Sequence, residues 1–193
     1  MILRLANADW LPLRTDSTAR AVRGWTGEVM KLADEMRTQT QRQNELIASG
    51  ALKLAADPRK TFVVPEPQSE VPFFNFAPLQ NAAARLDAAA AALGKVDQSK
   101  LGAGKLDVLE NALVVAEQKF LRQEGLPRRP WFRHLLHAPG YYTGYGVKTL
   151  PGVREAIEAR QWREAEAQIG FTAQAIAAYA EWIESAAAGA ARP

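Results

Sequence analysis

Residues 125–152 read GLPRRPWFRHLLHAPGYYTGYGVKTLPG, and they interrupt a chain that is otherwise patterned for helices. The four prolines of this stretch each remove a backbone donor and favour extended geometry in the preceding residue. The stretch also holds five aromatic residues, which are Trp131, Phe132, Tyr141, Tyr142 and Tyr145. A connection of this length is typically functional or disordered, and its aromatic content favours order. We therefore predict a structured loop over residues 125–152 that presents side chains outward from the helices holding it.

The composition excludes several classes of protein. The 193 residues fit one domain, and their hydrophobic and charged fractions of 48% and 23% are typical of globular domains. A net charge of +3 is too small to indicate nucleic-acid binding by itself. No apolar run reaches the length of about 18 residues that a membrane span needs. The absence of cysteine excludes disulfides and thiolate metal sites within this chain.

Apolar residues recur at three- and four-residue spacing on both sides of the loop, which predicts helices. The main helices are predicted over residues 16–49, 76–93, 104–124 and 160–186, and Pro151-Gly152 opens a short additional one. Prolines break the β-favouring residues of 51–75, which predicts an extended connector without a full sheet. The expected fold is therefore all-α, a four-helix-bundle-like domain with the loop between the third and last long helices.

The residues of the loop also carry a resemblance to a known family. The run GLPRRPWFRH, the Ala138-Pro139 pair, the tyrosine-bearing segment and Pro151-Gly152 together resemble the transferrin-receptor-like dimerisation domain. This is the C-terminal helical domain of the glutamate carboxypeptidase II and transferrin receptor family. The stretch RLANADWLPL at 4–13 is similar to the family's junction with its protease domain. The resemblance implies that residues 1–193 are a single dimerisation domain, with residues 1–13 as a junction and Met1 an arbitrary start within a longer protein.

The resemblance further implies a partner and a cofactor. Members of the family form homodimers, and their helical domain contacts the protease domain of the same chain. The parent enzyme would be a carboxypeptidase that uses two zinc ions, whose ligands would lie upstream of residue 1. We therefore expect neither catalytic zinc nor peptidase activity in this chain alone. The third and last helices, with the loop, are expected to supply much of the dimer interface.

The family's loop reaches into the active site and contacts the C-terminal glutamate of the substrate through a lysine-tyrosine pair. Counting without gaps from Ala138-Pro139 to Pro151-Gly152 places the tyrosine of that pair on Tyr145. Gly144 then replaces the lysine, so Lys148 is the remaining candidate for the side-chain carboxylate of the substrate. The alternative for Tyr145 is a turn residue packed on the bundle.

Arg133 and His134 are predicted to anchor the loop by hydrogen bonds. His134 and His137 are too few for a metal site, because no acidic cluster or cysteine supplies a third ligand. The arginines near the loop are interpreted as partners of the preceding helix end and of acidic residues on a neighbouring domain. An RNA-binding patch is the alternative.

Two other functions share these features. The chain is also compatible with a non-catalytic, transferrin-receptor-like domain for dimerisation and partner binding, or with a free-standing helical adaptor that grips a peptide. The sequence leaves open whether the parent is periplasmic, secreted or anchored.

Overall fold

The computed structural model of the chain describes residues 13–57 and 59–191. Helices dominate these residues, and one two-stranded hairpin accounts for the strands among them. The helices are α1 Thr15–Ala48, α2 Ala51–Leu54, α3 Ala77–Leu93, α4 Ala103–Val114, α5 Pro151–Glu158 and α6 Trp162–Ala191. Two 3₁₀ turns, Gln98–Lys100 and Ala116–Phe120, precede and follow α4. The prediction of an all-α domain is confirmed, and no helix among the described residues is both long and apolar enough to cross a membrane.

The core lies around α6, which packs against α3, α4 and α5, while α1 packs against α3 and α5. In α3 the leucines spaced seven residues apart are buried, as are the alanines between them (Leu79, Ala82, Ala83, Leu86, Ala89, Ala90 and Leu93). The small alanine side chains let the backbones of α3 and α6 approach each other closely, because these side chains occupy little space between the helices. The seam of α6 is buried along most of its length, from Ala165 to Ala190.

The third long helix differs from its prediction over residues 104–124. It ends at Val114, and the chain continues as the 3₁₀ turn Ala116–Phe120. The β-branched pair Val114-Val115 weakens the helix end. The tighter turn keeps Phe120 on the buried face, where its ring stacks on Tyr179 with the centroids 4.4 Å apart. Burial of this aromatic pair favours the 3₁₀ turn over a further α-helical turn, and it directs the chain into the loop.

The last helix extends to Ala191, five residues beyond its predicted end, because alanine has the highest intrinsic helix propensity. The connector before α3 contains the short helix α2 and is otherwise without regular structure, as predicted. Polar side chains of α1 hold the connector: Asn44 exchanges two hydrogen bonds with the backbone of Gln68, and the Arg37 guanidinium donates to the carbonyl of Val71. The predicted junction over residues 1–13 lies outside the described residues, apart from Leu13.

Candidate functional site

The loop contains a short hairpin whose tip is the arm, defined here as residues 140–146. Strands β1 (His137–Pro139) and β2 (Val147–Thr149) pair antiparallel, with His137 opposite Thr149. The Gly140 amide donates to the Gly146 carbonyl at 2.8 Å and closes the base of the arm. The Leu150 amide donates to the Leu136 carbonyl, also at 2.8 Å. The arm therefore leaves the bundle from a hydrogen-bonded base.

A buried ion pair fastens this base to α5. Nη2 of Arg129 lies 2.5 Å from Oε2 of Glu155, and both side chains are almost fully buried. Nη1 of Arg129 donates to the carbonyl of Pro139, the last residue of β1. The other carboxylate oxygen of Glu155 accepts the amide of Tyr141 at 2.8 Å. We call Arg129 and Glu155 the clamp, because together they hold the backbone at the start of the arm.

The tip of the arm is exposed to solvent. The Tyr145 side chain is fully exposed, with a relative accessibility of 105%, and Tyr142 is 82% exposed. Gly144, next to Tyr145, has φ of +57°, a left-handed conformation that favours glycine. The Tyr141 ring lies edge-on to the Tyr142 ring with the centroids 4.7 Å apart. The alternative of a turn tyrosine that packs on the bundle does not fit Tyr145, because the helices of its own chain leave its side chain fully exposed.

Lys148 lies on β2 and forms an ion pair within the chain. Its Nζ lies 2.7 Å from both carboxylate oxygens of Glu158 at the end of α5. To reach a substrate carboxylate, Lys148 would have to leave Glu158. The arm itself, with the sequence GYYTGYG, carries no charged side chain. The assignment of Lys148 and Tyr145 to substrate binding remains a prediction.

His134, which is predicted to anchor the loop, lies between the 3₁₀ turn Ala116–Phe120 and the hairpin. Its Nδ1 accepts the amides of Leu136 and His137 at 3.3 and 3.4 Å. Its ring lies 5.7 Å from the Phe120 ring and 4.0 Å from the His137 ring, measured between centroids. Burial lowers the pKa of His134 to about 4, and the neighbouring His137 contributes to the shift. The imidazole is therefore neutral near pH 7, as an acceptor Nδ1 requires.

Arg133 is the other residue predicted to anchor the loop, and this role stays a prediction. Its side chain is exposed, and its backbone carbonyl accepts the amide of Arg122. Arg129, four residues earlier, fixes the base of the hairpin with its side chain. Sequence reasoning missed both members of the clamp, since Arg129 and Glu155 are 26 residues apart and no local spacing relates them.

The other arginines near the loop find acidic partners within the chain, which the sequence interpretation had assigned to a neighbouring domain. Arg128 binds Glu164 on α6 with both terminal nitrogens, at 3.0 and 3.1 Å. Arg122 binds Glu124 at 2.9 Å and covers the ring of Phe171. These contacts leave less cationic surface for the alternative of an RNA-binding patch.

In the part of the chain that the structure describes, no three His, Cys, Asp or Glu side chains come together as a metal site. The described residues therefore do not fit the ligand set of a zinc ion, which needs three or four such groups. Zinc chemistry in the parent protein would require ligands from outside these residues.

The fold is a helical bundle that carries an anchored hairpin rich in aromatic residues. Residues 74–184, more than half of the chain, match the transferrin receptor-like dimerisation domain. The chain belongs to this family, which confirms the resemblance stated from the sequence. The matched part includes α3, α4, the whole loop and most of α6.

The more specific similarity is to proteins named as glutamate carboxypeptidases. The chain is 35% identical over 82 residues to "Probable glutamate carboxypeptidase LAMP1" of Arabidopsis thaliana, covering 39% of this chain and 12% of that protein. It is 52% identical over 40 residues to "Probable glutamate carboxypeptidase" of Arthroderma benhamiae, covering 21% of this chain and 6% of that one. "Probable glutamate carboxypeptidase VP8" of Zea mays is 40% identical over 50 residues, or 26% of this chain and 7% of the relative. The chain thus spans a small part of the length of each of these relatives.

Proposed function

We propose that this chain is the dimerisation domain of a glutamate carboxypeptidase-like zinc exopeptidase, and that its arm contributes Tyr145 to the substrate pocket of the protease domain. The chain associates as a homodimer, and its second partner is the protease domain of its own parent. The family membership and the similarity to proteins named as glutamate carboxypeptidases support the first part of the proposal.

One observation carries the role of the arm: its base is fixed by buried polar contacts while its tip is fully exposed. The clamp holds the backbone on both sides of Gly140. The side chain of Tyr145, further along the arm, is fully exposed. A buried ion pair is costly to assemble, so it suits a segment whose position has to be set accurately. A loop serving only as a connection would not need an aromatic tip held away from the bundle.

The chemistry of Tyr145 fits recognition of a carboxylate. A phenol donates one hydrogen bond, and a hydrogen bond to a charged acceptor contributes about 1.5–3 kcal/mol. Every exopeptidase that removes C-terminal residues binds an α-carboxylate, so such a donor has a defined task in the pocket. In the parent enzyme the zinc ions would activate water and polarise the scissile carbonyl. Tyr145 would position the substrate and take no part in bond cleavage.

The test is a steady-state comparison in the full-length parent protein. Tyr145→Phe removes only the hydroxyl and should lower kcat/KM for peptide hydrolysis by about 10- to 100-fold, from the loss of one hydrogen bond to a charged group. Tyr142→Phe is the matched control, because this phenol is exposed on the same arm and should leave kcat/KM unchanged. Equal kcat/KM for Tyr145→Phe and the unmodified enzyme would exclude the substrate-binding role.

The same activity measurement and the reading frame of the gene together separate the proposal from its alternatives. A parent protein that hydrolyses no peptide in the presence of zinc would favour a receptor-like domain without catalysis. An open reading frame that ended with this chain alone would favour a free-standing adaptor.

A further inference from the structure

The connector before α3 carries an apolar run that the rest of the described chain leaves uncovered. Residues 61–64 read TFVV, and all four are exposed, with Val63 at 81%. These residue types favour β-strands, yet none of their backbone groups has a hydrogen bond to another described residue. Pro65, which has no backbone N–H, follows the run. An apolar run with free backbone groups indicates a partner outside the described residues.

Polar side chains fix the connector just after this run. Asn44 of α1 exchanges two hydrogen bonds with the backbone of Gln68. The Arg160 guanidinium, which follows α5, donates to the carbonyl of Ser69 at 2.9 Å and to the side-chain oxygen of Gln68 at 2.6 Å. Val64 precedes Gln68 by four residues, so the run lies within about 15–25 Å of this anchored point. Holding the connector in place lowers the entropy that a partner would lose in ordering it.

The connector and the arm meet the same turn of α6. The Trp162 ring, at the start of this helix, lies 6.0 Å from the Phe74 ring of the connector, measured between centroids. Two residues later, Glu164 binds Arg128 of the loop at 3.0 Å. The guanidinium carbon of Arg128 lies 5.6 Å from the centre of the Tyr141 ring in the arm. A domain that receives the arm is therefore also within reach of the connector.

The chemistry of residues 61–64 fits the edge of a β-sheet. A sheet edge presents a row of unpaired N–H and C=O groups, and an added extended segment pairs with them through its own backbone. The strands β1 and β2 pair with each other and do not pair with this run. The chain spans only 12% of the similar Arabidopsis protein, so a parent of that length has most of its residues available to form such a sheet.

We propose that residues 61–64 add as a strand to a sheet edge of the protease domain that receives the arm. This inference rests on the proposed function, because it gives the protease domain a second contact beside the arm. The connector then has a docking role in addition to linking α2 with α3.

The test compares hydrogen exchange of residue-resolved backbone amides in the full-length parent protein and in the 193-residue chain. Pairing with a sheet edge should slow exchange at least about 100-fold in the parent, and only at alternate residues of 61–64, because successive N–H groups of a strand point to opposite sides. Either Val63→Pro or Val64→Pro should abolish this protection, because one of these two residues donates to the partner strand. Val63→Thr and Val64→Thr are the matched controls, since threonine keeps the N–H, the shape and the β propensity, and should keep the protection.

The outcomes separate this inference from the proposed function. Equal exchange of these amides in the parent and in the 193-residue chain would overturn docking, whereas the role of the arm stands if Tyr145→Phe still lowers kcat/KM. Protection that survives both proline variants would overturn pairing through this run. Protection that appears in the 193-residue chain as its concentration rises would assign the run to a second copy and overturn docking on the protease domain. A parent that protects these amides but hydrolyses no peptide would support docking and contradict the proposed function. Circular dichroism of each variant confirms that the bundle is folded.

Discussion

Replacing Glu155 with glutamine should destabilise the domain severely, because it leaves the Arg129 guanidinium buried without a counter-charge. The two side chains of the clamp retain only 4% and 9% of their accessible surface. Removing one partner of such a buried pair costs about 3–5 kcal/mol. A domain has about 5–15 kcal/mol of total stability, so this single substitution would remove a large part of it.

The cost can be measured by urea unfolding followed by circular dichroism, and by the change in Tm. One kcal/mol shifts Tm by about 2–4 °C in a domain of 150–250 residues, so a decrease on the order of 10 °C is expected. Glu184→Gln is the matched control. Glu184 binds Arg85 through both oxygens, at 3.0 and 2.7 Å, but these side chains retain 42% and 39% of their surface. Breaking an exposed pair of this kind costs at most about 1 kcal/mol.

A double replacement distinguishes the lost charge from lost packing. Arg129→Met combined with Glu155→Leu removes both charges and keeps apolar volume, so it should recover much of the stability that Glu155→Gln loses. The Tyr141 amide, which donates to Glu155, should exchange faster with solvent in both variants because its acceptor is altered or absent. Equal costs for Glu155→Gln and Glu184→Gln would refute the assignment of the clamp as a buried, energetically coupled pair.

Four further substitutions test local features of the fold. Gly125→Ala should cost more than about 2 kcal/mol of unfolding free energy, because a Cβ there would lie 2.2 Å from the Pro130 carbonyl oxygen at φ of +66°. Gly50→Ala, at φ of +73° but with no atom within 4 Å of the added Cβ, should cost only about 1 kcal/mol in the same urea titration. Stability should fall as pH decreases from about 6.5 toward 4, since the unfolded chain protonates His134 in this range and burial keeps the folded imidazole neutral. Tm measured against pH should show a smaller decrease in His134→Gln, and an unchanged profile would contradict the lowered pKa. Gly24→Ala, in an exposed position of α1 with open space around the Cβ, should raise the unfolding free energy by about 0.5–1 kcal/mol, and a decrease would contradict the assigned helix.

Helix periodicity and breakers predicted most of the architecture. The spacing of Leu79, Leu86 and Leu93 predicted a buried face, and all three leucines are buried. The prolines and glycines predicted the position of the loop in the sequence, because their effects on the backbone act within one or two residues. The end of α4 was not predictable in the same way, since the periodic pattern continues to Phe120 through a 3₁₀ turn.

The sequence by itself therefore determined most of the long helices of this protein and its family, because propensity, periodicity and local motifs depend on neighbours along the chain. The tertiary structure decided how the arm is held and which carboxylates the cations of the surrounding loop bind. Arg129 meets Glu155 and Arg128 meets Glu164 across 26 and 36 residues, and Lys148 binds Glu158 across ten. Such pairs arise from the packing of α5 and α6 against the loop, and no spacing in the sequence specifies which carboxylate a given cation reaches.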